Sequence, residues 1–222
     1  MVYASSPDLP PTRRTSVKLV VAGGFGVGKT TLVEAISEIP AVNTEAWMTQ
    51  AAKTVDPLAP DGGGGGDGKT TTTVAMDFGR VTLASDLVLY LFGTPGQDRF
   101  WPMWDDLCRG ASGALVLVDT RRLDVSFAAV NYFENDSDVP FTVAVNLFEG
   151  RQTHPLPDIR DALQLDPAVP LTTCDARDRG SVVAALTGTL GHTLDRTAGS
   201  GAPRIRGGPA AEPVHPMTPS TR

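Results

Sequence analysis

Cysteine and long apolar runs are both scarce in this sequence of 222 residues. Two cysteines, Cys108 and Cys174, are too few for a disulfide framework and favour a reducing compartment. The longest apolar stretches, such as 87–92 and 114–118, have the length of a strand and are too short to span a bilayer. The first sixteen residues lack the apolar core of a signal peptide. We therefore expect a cytoplasmic protein.

Lipid anchors and basic charge are missing as well. Position 2 is Val, where myristoylation needs Gly, and the C-terminal PSTR has no Cys for prenylation. Any membrane association is therefore expected to come through partners. The formal net charge of −6 argues against a nucleic-acid-binding protein. The three histidines are scattered, and no cysteine or carboxylate cluster accompanies them at metal-ligand spacing.

Strand-like and helix-like segments alternate between two polar, proline-containing ends, 1–15 and 196–222, which we expect to be disordered. This alternation over 16–195 predicts an α/β domain with a mostly parallel sheet and helices on both faces. The predicted strands are about 17–22, 74–83, 86–92, 113–119, 140–146 and 169–173. The predicted helices are near 29–39, 101–109, 123–134, 156–163 and 180–195.

The segment 40–69 interrupts the alternation. It has little periodicity, and the five glycines at 62–66 predict a long flexible insertion. A short helix within 43–52 is only weakly indicated. The glycines are either a tolerated surface insertion or a lid that leads into the four threonines Thr70–Thr73.

The sequence GGFGVGKTT at 23–31 fits the phosphate-loop pattern, with Gly23, four residues, Gly28, Lys29 and Thr30. An apolar strand precedes it and a helical pattern follows, so backbone N–H groups and the helix start would face a bound phosphate. Lys29 would reach the outer phosphates and the Thr30 hydroxyl would bind Mg²⁺. A chance glycine-rich turn is the alternative. The candidate nucleotide-binding residues here are Gly24, Gly26, Val27, Gly28, Lys29, Thr30 and Thr31.

Further segments in order are TVAMDFGRV at 73–81, LYLFGTPGQDRFWPMW at 89–104, VLVDTRR at 116–122, VAVNLFEG at 143–150 and CDAR at 174–177. Together with the phosphate loop, these resemble the motifs of Ras-superfamily GTPases. They are most similar to the small ATP/GTP-binding proteins of actinobacterial conservons. The resemblance implies a P-loop NTPase with a Ras-like six-stranded sheet and GTP, GDP and Mg²⁺ as ligands. It also implies a roadblock/LC7-type protein as partner, and a histidine-kinase-like sensor of the same system as a second candidate.

The resemblance also implies roles for residues of the two switch segments. Thr73 would bind Mg²⁺ beside Thr30 and sense the γ-phosphate, with Thr71 and Thr72 as near-equal candidates. Gly96 would donate its N–H to the γ-phosphate, and Gln97 would orient the attacking water. The apolar residues Phe100, Trp101, Met103 and Trp104 next to it belong either to the core or to a partner-docking surface.

Three features depart from the Ras-like pattern, and the first two, at Gly93 and Phe25, concern the metal and the phosphates. Gly93 stands where most members have the Asp that holds Mg²⁺ through water, which predicts weaker Mg²⁺ affinity. Phe25 stands at a loop position that is usually Gly or Ser, and its ring should hinder an arginine finger from a partner. The first switch offers no arginine, since 40–73 contains none, and Arg80 and Arg99 remain as candidates. We therefore expect slow hydrolysis.

The third departure lies in the base-recognition run, which reads Asn146-Leu147-Phe148-Glu149. Asn146 would tie the base edge to the phosphate loop. The Glu149 carboxylate could accept hydrogen bonds from N1–H and N2–H of guanine, whereas adenine offers only an acceptor at N1. Asp175, Ala176 and Arg177 are further candidate nucleotide-binding residues, and Ala176 would present its N–H to guanine O6. These residues favour GTP over ATP, although Glu149 could instead be an exposed charge at a strand end.

The motif set predicts a guanine-nucleotide-binding molecular switch with slow GTP hydrolysis in bacterial signal transduction. The alternative is a nucleotide-binding scaffold with little or no turnover, which the departures at Gly93 and Phe25 favour. A P-loop kinase is a third hypothesis, but nothing in the chain resembles an acceptor site.

Overall fold

The computed structural model describes residues 15–40, 42–47, 73–96, 100 and 102–199. Strands and helices alternate along them. The strands are β1 (Thr15–Ala22), β2 (Val42–Trp47), β3 (Thr73–Ala84), β4 (Leu87–Gly93), β5 (Gly113–Val118), β6 (Phe141–Asn146) and β7 (Leu171–Cys174). The α-helices are α1 (Lys29–Ile36), α2 (Pro102–Cys108), α3 (Asp124–Asn131), α4 (Leu156–Leu163) and α5 (Arg179–Gly199). A π-helix (Tyr132–Asp136) continues α3, and a 3₁₀ turn (Phe148–Gly150) follows β6.

The strands form a sheet of seven in the order β2-β3-β4-β1-β5-β6-β7. β4, β1, β5, β6 and β7 run parallel to one another, and β3 is antiparallel to both of its neighbours. The predicted α/β class with a mostly parallel sheet is confirmed. The predicted number of six strands is wrong, because β2 adds a seventh at the edge.

β2 forms where we expected a loop or a weak helix. It pairs with β3 along its whole length, from Val42 opposite Phe78 to Trp47 opposite Thr73. Backbone hydrogen bonds of this kind use the peptide groups of any residue. The polar residues Asn43, Thr44 and Glu45 therefore carried no side-chain pattern by which the strand could be recognised. The glycine run at 62–66 lies outside the described residues, as does most of the two ends, 1–15 and 196–222, that we expected to be disordered. That expectation is wrong for Thr15, which begins β1, and for 196–199, which form the last residues of α5.

Helices cover both faces of the sheet, as predicted. Alternate residues of β1 belong to two separate buried clusters. Leu19 and Val21 pack with residues of α1 and α5, whereas Val20 and Ala22 pack with residues of α2, α3 and α4. Both cysteines are buried free thiols. None of the described helices has the length and apolar composition that crossing a bilayer requires.

The chain order changes direction at β1, since β4 lies on one side of it and β5 on the other. In open α/β sheets, such a switch point leaves a crevice at the carboxyl ends of the strands, where ligands bind. The phosphate-loop sequence begins directly after β1. The fold therefore places the loop at this crevice, next to the ends of β5 and β6.

Leu115 of β5 tests how strongly the buried cluster supports this arrangement. Its side chain is fully buried in the cluster that includes residues of α1 and α5, so Leu115→Ala should lower the free energy of unfolding by about 2–5 kcal/mol. Leu194→Ala is the matched control, because Leu194 is 67% exposed and its truncation should cost under about 0.5 kcal/mol. Denaturant unfolding measures both, and equal losses in the two variants would contradict the assignment of the core.

Candidate nucleotide-binding site

The phosphate loop is built on glycines that the geometry requires. Gly28 precedes α1 with φ of 105°, a left-handed conformation that other residues rarely adopt. A Cβ atom at this position would also collide with the side-chain nitrogen of Asn146. Within the loop, Gly24 and Val27 are buried, while Gly26 is exposed. Thr30 and Thr31 follow in the first turn of α1, so the structure brings all seven loop candidates together.

Lys29 is held inside the loop, with 7% of the residue exposed. Its ammonium group donates hydrogen bonds to the carbonyl oxygens of Gly23 and Gly24, at 2.8 and 2.7 Å. Burial lowers the pKa of Lys29 to about 8, and the negative charge of Asp77 partly opposes this effect. The cation is therefore destabilised by burial, and the negative charge of a phosphate next to it would restore its usual protonation.

Asp77 of β3 takes up the space beside Gly93. The Thr30 hydroxyl donates a hydrogen bond to Asp77 Oδ2 at 2.7 Å. A Cβ atom on Gly93 would lie 2.9 Å from Asp77 Cβ, so the two positions cannot both carry large side chains. The carboxylate that Gly93 lacks thus comes from the neighbouring strand. A carboxylate therefore stands beside Thr30 although position 93 is a glycine, which removes the reason we gave for weaker Mg²⁺ affinity. The affinity itself stays a prediction.

A hydroxyl and a carboxylate are the hard oxygen ligands that Mg²⁺ prefers. Thr30 and Asp77 fit the ion, which would neutralise charge on bound phosphates. Thr73 is not brought to them here. It begins β3 opposite Trp47, and four residues of strand, about 13 Å, separate it from Asp77. Its role as a metal ligand stays a prediction for another arrangement of β2 and β3. Thr71 and Thr72 lie outside the described residues.

Asn146 joins the phosphate loop to the predicted base-recognition loops. At the end of β6, its side-chain Nδ2 donates to the Val27 carbonyl at 2.9 Å. Its Oδ1 accepts a hydrogen bond from the Ala176 backbone N–H at 3.1 Å. The tie to the loop is the one we expected. The Ala176 N–H, which we expected to face guanine O6, is used by Asn146 in this structure.

Glu149 is exposed and lies between two arginines. Its backbone is left-handed, with φ of 61°, within the turn that follows β6. Arg121 and Arg177 pair with Asp119 and Asp175, respectively. These hydrogen bonds raise the pKa of both arginines, and the Glu149 carboxylate adds to the rise in both. The loops that carry Asn146, Glu149, Asp175, Ala176 and Arg177 therefore meet at one end of the site.

Gly96 lies directly against the phosphate loop. A Cβ atom on it would come within 2.7 Å of the Phe25 backbone nitrogen and Cα. The preceding carbonyl, on Pro95, accepts a hydrogen bond from the Trp104 indole at 3.2 Å. Trp104 is 2% exposed and packs against Tyr132 and Phe133, which favours the core reading for this part of the apolar segment. Gln97, the predicted catalytic residue, and Trp101 lie outside the described residues.

Sequence reasoning missed the Asp77 carboxylate, and it left open whether Asp119 supports the base loop or caps the end of its strand. Asp77 carried a signal, since it is a lone acid within the apolar strand sequence TVAMDFGRV. Asp119 is fully buried and accepts two hydrogen bonds at 2.9 Å from the guanidinium of Arg121, which stacks on the ring of Phe148. No local pattern could reveal this stack, because Arg121 and Phe148 are far apart in the chain.

Comparison with known proteins gives two findings. The model of a family described as "Conserved hypothetical ATP binding protein" matches residues 21–196. An uncharacterized protein of Methanocaldococcus jannaschii is 33% identical over 111 residues, which are 50% of this chain and 55% of that protein. The chain thus spans about half the length of the curated relative it matches.

The pKa of Lys29 predicts a proton-linked affinity. A bound triphosphate keeps the ammonium protonated, so the complex holds a proton that the free protein releases above pH 8. Nucleotide affinity should therefore fall about fivefold between pH 8 and pH 9. Calorimetry in two buffers of different ionisation enthalpy should show uptake of nearly one proton per nucleotide at pH 9 and almost none at pH 7. Equal proton uptake at both values would contradict this.

Asp77 predicts a position-specific effect on metal affinity. Asp77→Asn should raise the Mg²⁺ concentration needed to retain bound nucleotide by about 10–100-fold, because the hydrogen-bonded carboxylate beside Thr30 is lost. The double variant Asp77→Gly, Gly93→Asp moves the carboxylate from β3 to the adjacent strand β4. It should recover most of the Mg²⁺ affinity that Asp77→Asn loses. Asp86→Asn, at the exposed β3–β4 turn, is the control. Nucleotide dissociation rates during Mg²⁺ titration test this, and wild-type behaviour of Asp77→Asn would refute it.

Proposed function

The chain belongs to the family of conserved hypothetical ATP-binding proteins, and from this premise we propose that it is a guanine-nucleotide-binding switch with slow GTP hydrolysis. The observation that carries the proposal is the Asn146 bridge. One side chain bonds both the phosphate loop and the Ala176 loop, so the sites for phosphate and base are fixed relative to each other. A site built in this way suits a purine nucleoside triphosphate with Mg²⁺.

Guanine is the base that the Glu149 carboxylate suits best. Its two oxygens would accept hydrogen bonds from guanine N1–H and N2–H, as a charge-assisted pair. Adenine would place its N1 lone pair against the same carboxylate. The nearby Arg121 and Arg177 are already paired with Asp119 and Asp175, which leaves the exposed Glu149 to meet the base.

The contact of Gly96 with the phosphate loop supports a switch. Gly96 lies against the loop beside Phe25, so a γ-phosphate arriving there would alter this contact. The Pro95 carbonyl accepts a hydrogen bond from the Trp104 indole of α2. A shift of the segment that contains Pro95 and Gly96 would therefore move that helix as well. Contacts to a γ-phosphate that hold such a segment, and release it after hydrolysis, are a known way to change a surface with nucleotide state.

The signalling role is part of the same proposal. A roadblock/LC7-type protein, and with it a histidine-kinase-like sensor, would read the segment that includes Gly96 in the cytoplasm. The second candidate function is a nucleotide-binding scaffold with little or no turnover. The exposed side chain of Phe25 favours it, because a bulky ring within the phosphate loop would hinder the entry of a partner's arginine. Single-turnover hydrolysis by the wild type separates the two.

Base selectivity is the direct test. Wild-type protein should bind GTP more tightly than ATP in competition against a fluorescent guanine nucleotide. Glu149→Gln should lose about 1–3 kcal/mol of GTP binding, roughly 5–150-fold, since a charged acceptor pair is replaced by one acceptor and one donor. The same variant should gain affinity for xanthosine triphosphate, whose ring offers a donor and an acceptor at these positions.

Glu34→Gln, on the exposed face of α1, is the matched control and should bind GTP as the wild type does. If the wild type binds GTP and ATP with equal affinity, and Glu149→Gln does the same, the proposed selectivity for guanine is wrong. Binding of neither triphosphate would end the proposal altogether.

A further inference from the structure

Arg122 reaches the phosphate loop from a distant part of the chain. Its guanidinium donates a hydrogen bond to the Phe25 carbonyl oxygen at 2.8 Å, although 97 positions separate the two residues. A Cβ atom on Gly26 would lie 3.1 Å from the same nitrogen, Nη2 of Arg122. Gly26 has φ of 76°, and beyond its chain neighbours no other atom of the described residues lies within 4 Å of that Cβ position. The positive group thus lies over the exposed part of the loop.

The turn that carries Arg122 is anchored by a buried acid. Asp119 directly follows β5, and its backbone carbonyl accepts the Arg122 N–H at 3.1 Å. The Asp119 carboxylate bonds the guanidinium of Arg121 through both oxygens, and Arg121 also stacks on Phe148. Of these two adjacent arginines, Arg121 is therefore committed to Asp119, whereas Arg122 is directed to the phosphate loop. Arg122 is exposed, and among the described residues its guanidinium donates one hydrogen bond, to a neutral acceptor.

The start of α3 holds this turn against the loop. A Cβ atom on Gly24 would collide with the backbone oxygen and side chain of Val125, in the first turn of α3. Loop and turn are therefore in close contact at Gly24 and Val125, and Arg122 adds a second contact at Phe25. The position of its backbone is fixed, while its long side chain can exchange the Phe25 carbonyl for a stronger acceptor nearby.

We propose that Arg122 is an arginine finger that this chain supplies to its own phosphate site. The inference rests on the proposed GTP hydrolysis. In that reaction a water oxygen forms a bond to the γ-phosphorus, and the bond from that phosphorus to the β–γ bridging oxygen breaks. The electron pair of the broken bond stays on GDP, and the proton of the water leaves with inorganic phosphate or to solvent. Negative charge grows on the bridging and γ-oxygens, and the guanidinium of Arg122 stabilises it.

Other cations are less suited to this role. Arg80 bonds through its backbone to Ser37 and Glu38, beyond the C-terminal end of α1, which places it far from the loop. Arg177 is paired with Asp175 at the base end. Arg99 lies outside the described residues. A partner's arginine would have to pass the Phe25 side chain, which is 63% exposed, and then displace Arg122 itself.

Single-turnover hydrolysis of bound GTP tests the proposal with three variants. Arg122→Ala should slow hydrolysis by about 10³-fold while GTP affinity stays close to that of the wild type. Arg122→Lys should hydrolyse GTP nearly as slowly as Arg122→Ala, because a lysine ammonium lacks the planar fork of donors that spans two phosphate oxygens. Arg109→Ala is the control, since Arg109 follows α2 and is an exposed arginine paired with the exposed Asp106.

Binding of a transition-state analogue separates a catalytic role of Arg122 from a structural one, because a residue that only supports the loop would not change it. Wild-type protein should form a GDP–aluminium fluoride complex without any partner, detected by a fluorescent GDP analogue, and Arg122→Ala should not, although it still binds GDP. If the wild type and Arg122→Ala both bind GTP and hydrolyse it at equal rates, the proposal for Arg122 is overturned and the proposed function stands. The same holds if the wild type binds GDP but does not form the GDP–aluminium fluoride complex. A wild type that binds no GTP overturns the proposed function and the finger with it.

Discussion

The Asn146 side chain is the contact on which the arrangement of the site depends. Its amide is buried at the end of β6, donates to the Val27 carbonyl and accepts from the Ala176 N–H. Three segments that are distant in the chain therefore share one small polar group. Since a buried amide left without partners costs more than the net gain of making the bonds, the segments hold one another in place. The left-handed Gly28 is part of the same constraint, because only a glycine leaves room for this amide.

Charge is balanced locally around the phosphate loop. Lys29 is buried against the carbonyls of its own loop, and burial lowers its pKa to about 8. Asp77, bonded to Thr30, is the nearby negative group that partly opposes this. A triphosphate with Mg²⁺ would match both groups, anion to Lys29 and cation to the Asp77 carboxylate. The site is thus organised for a ligand that brings charges of both signs.

How far the sequence predicted this protein differs from one residue to the next. The strand–loop–helix around Lys29 and Thr30 was predicted because all of its determinants are local: an apolar strand, glycines and a helical pattern. The tie of Asn146 to the loop followed from a resemblance and is present. β2 escaped prediction because its partner is the backbone of β3. The negative group at Gly93 was misjudged for a related reason, since Asp77 reaches that space from the adjacent strand.

By itself the sequence determined the α/β class, the phosphate loop and most strand and helix positions, because periodicity and glycine placement act over a few neighbouring residues. Only the tertiary structure decided which carboxylate stands beside Thr30, which arginine reaches the loop and how many strands the sheet has. Those outcomes depend on contacts between residues that lie tens of positions apart, such as Thr30 with Asp77 and Phe25 with Arg122. Strand pairing and turn geometry set such contacts, and no local pattern encodes them.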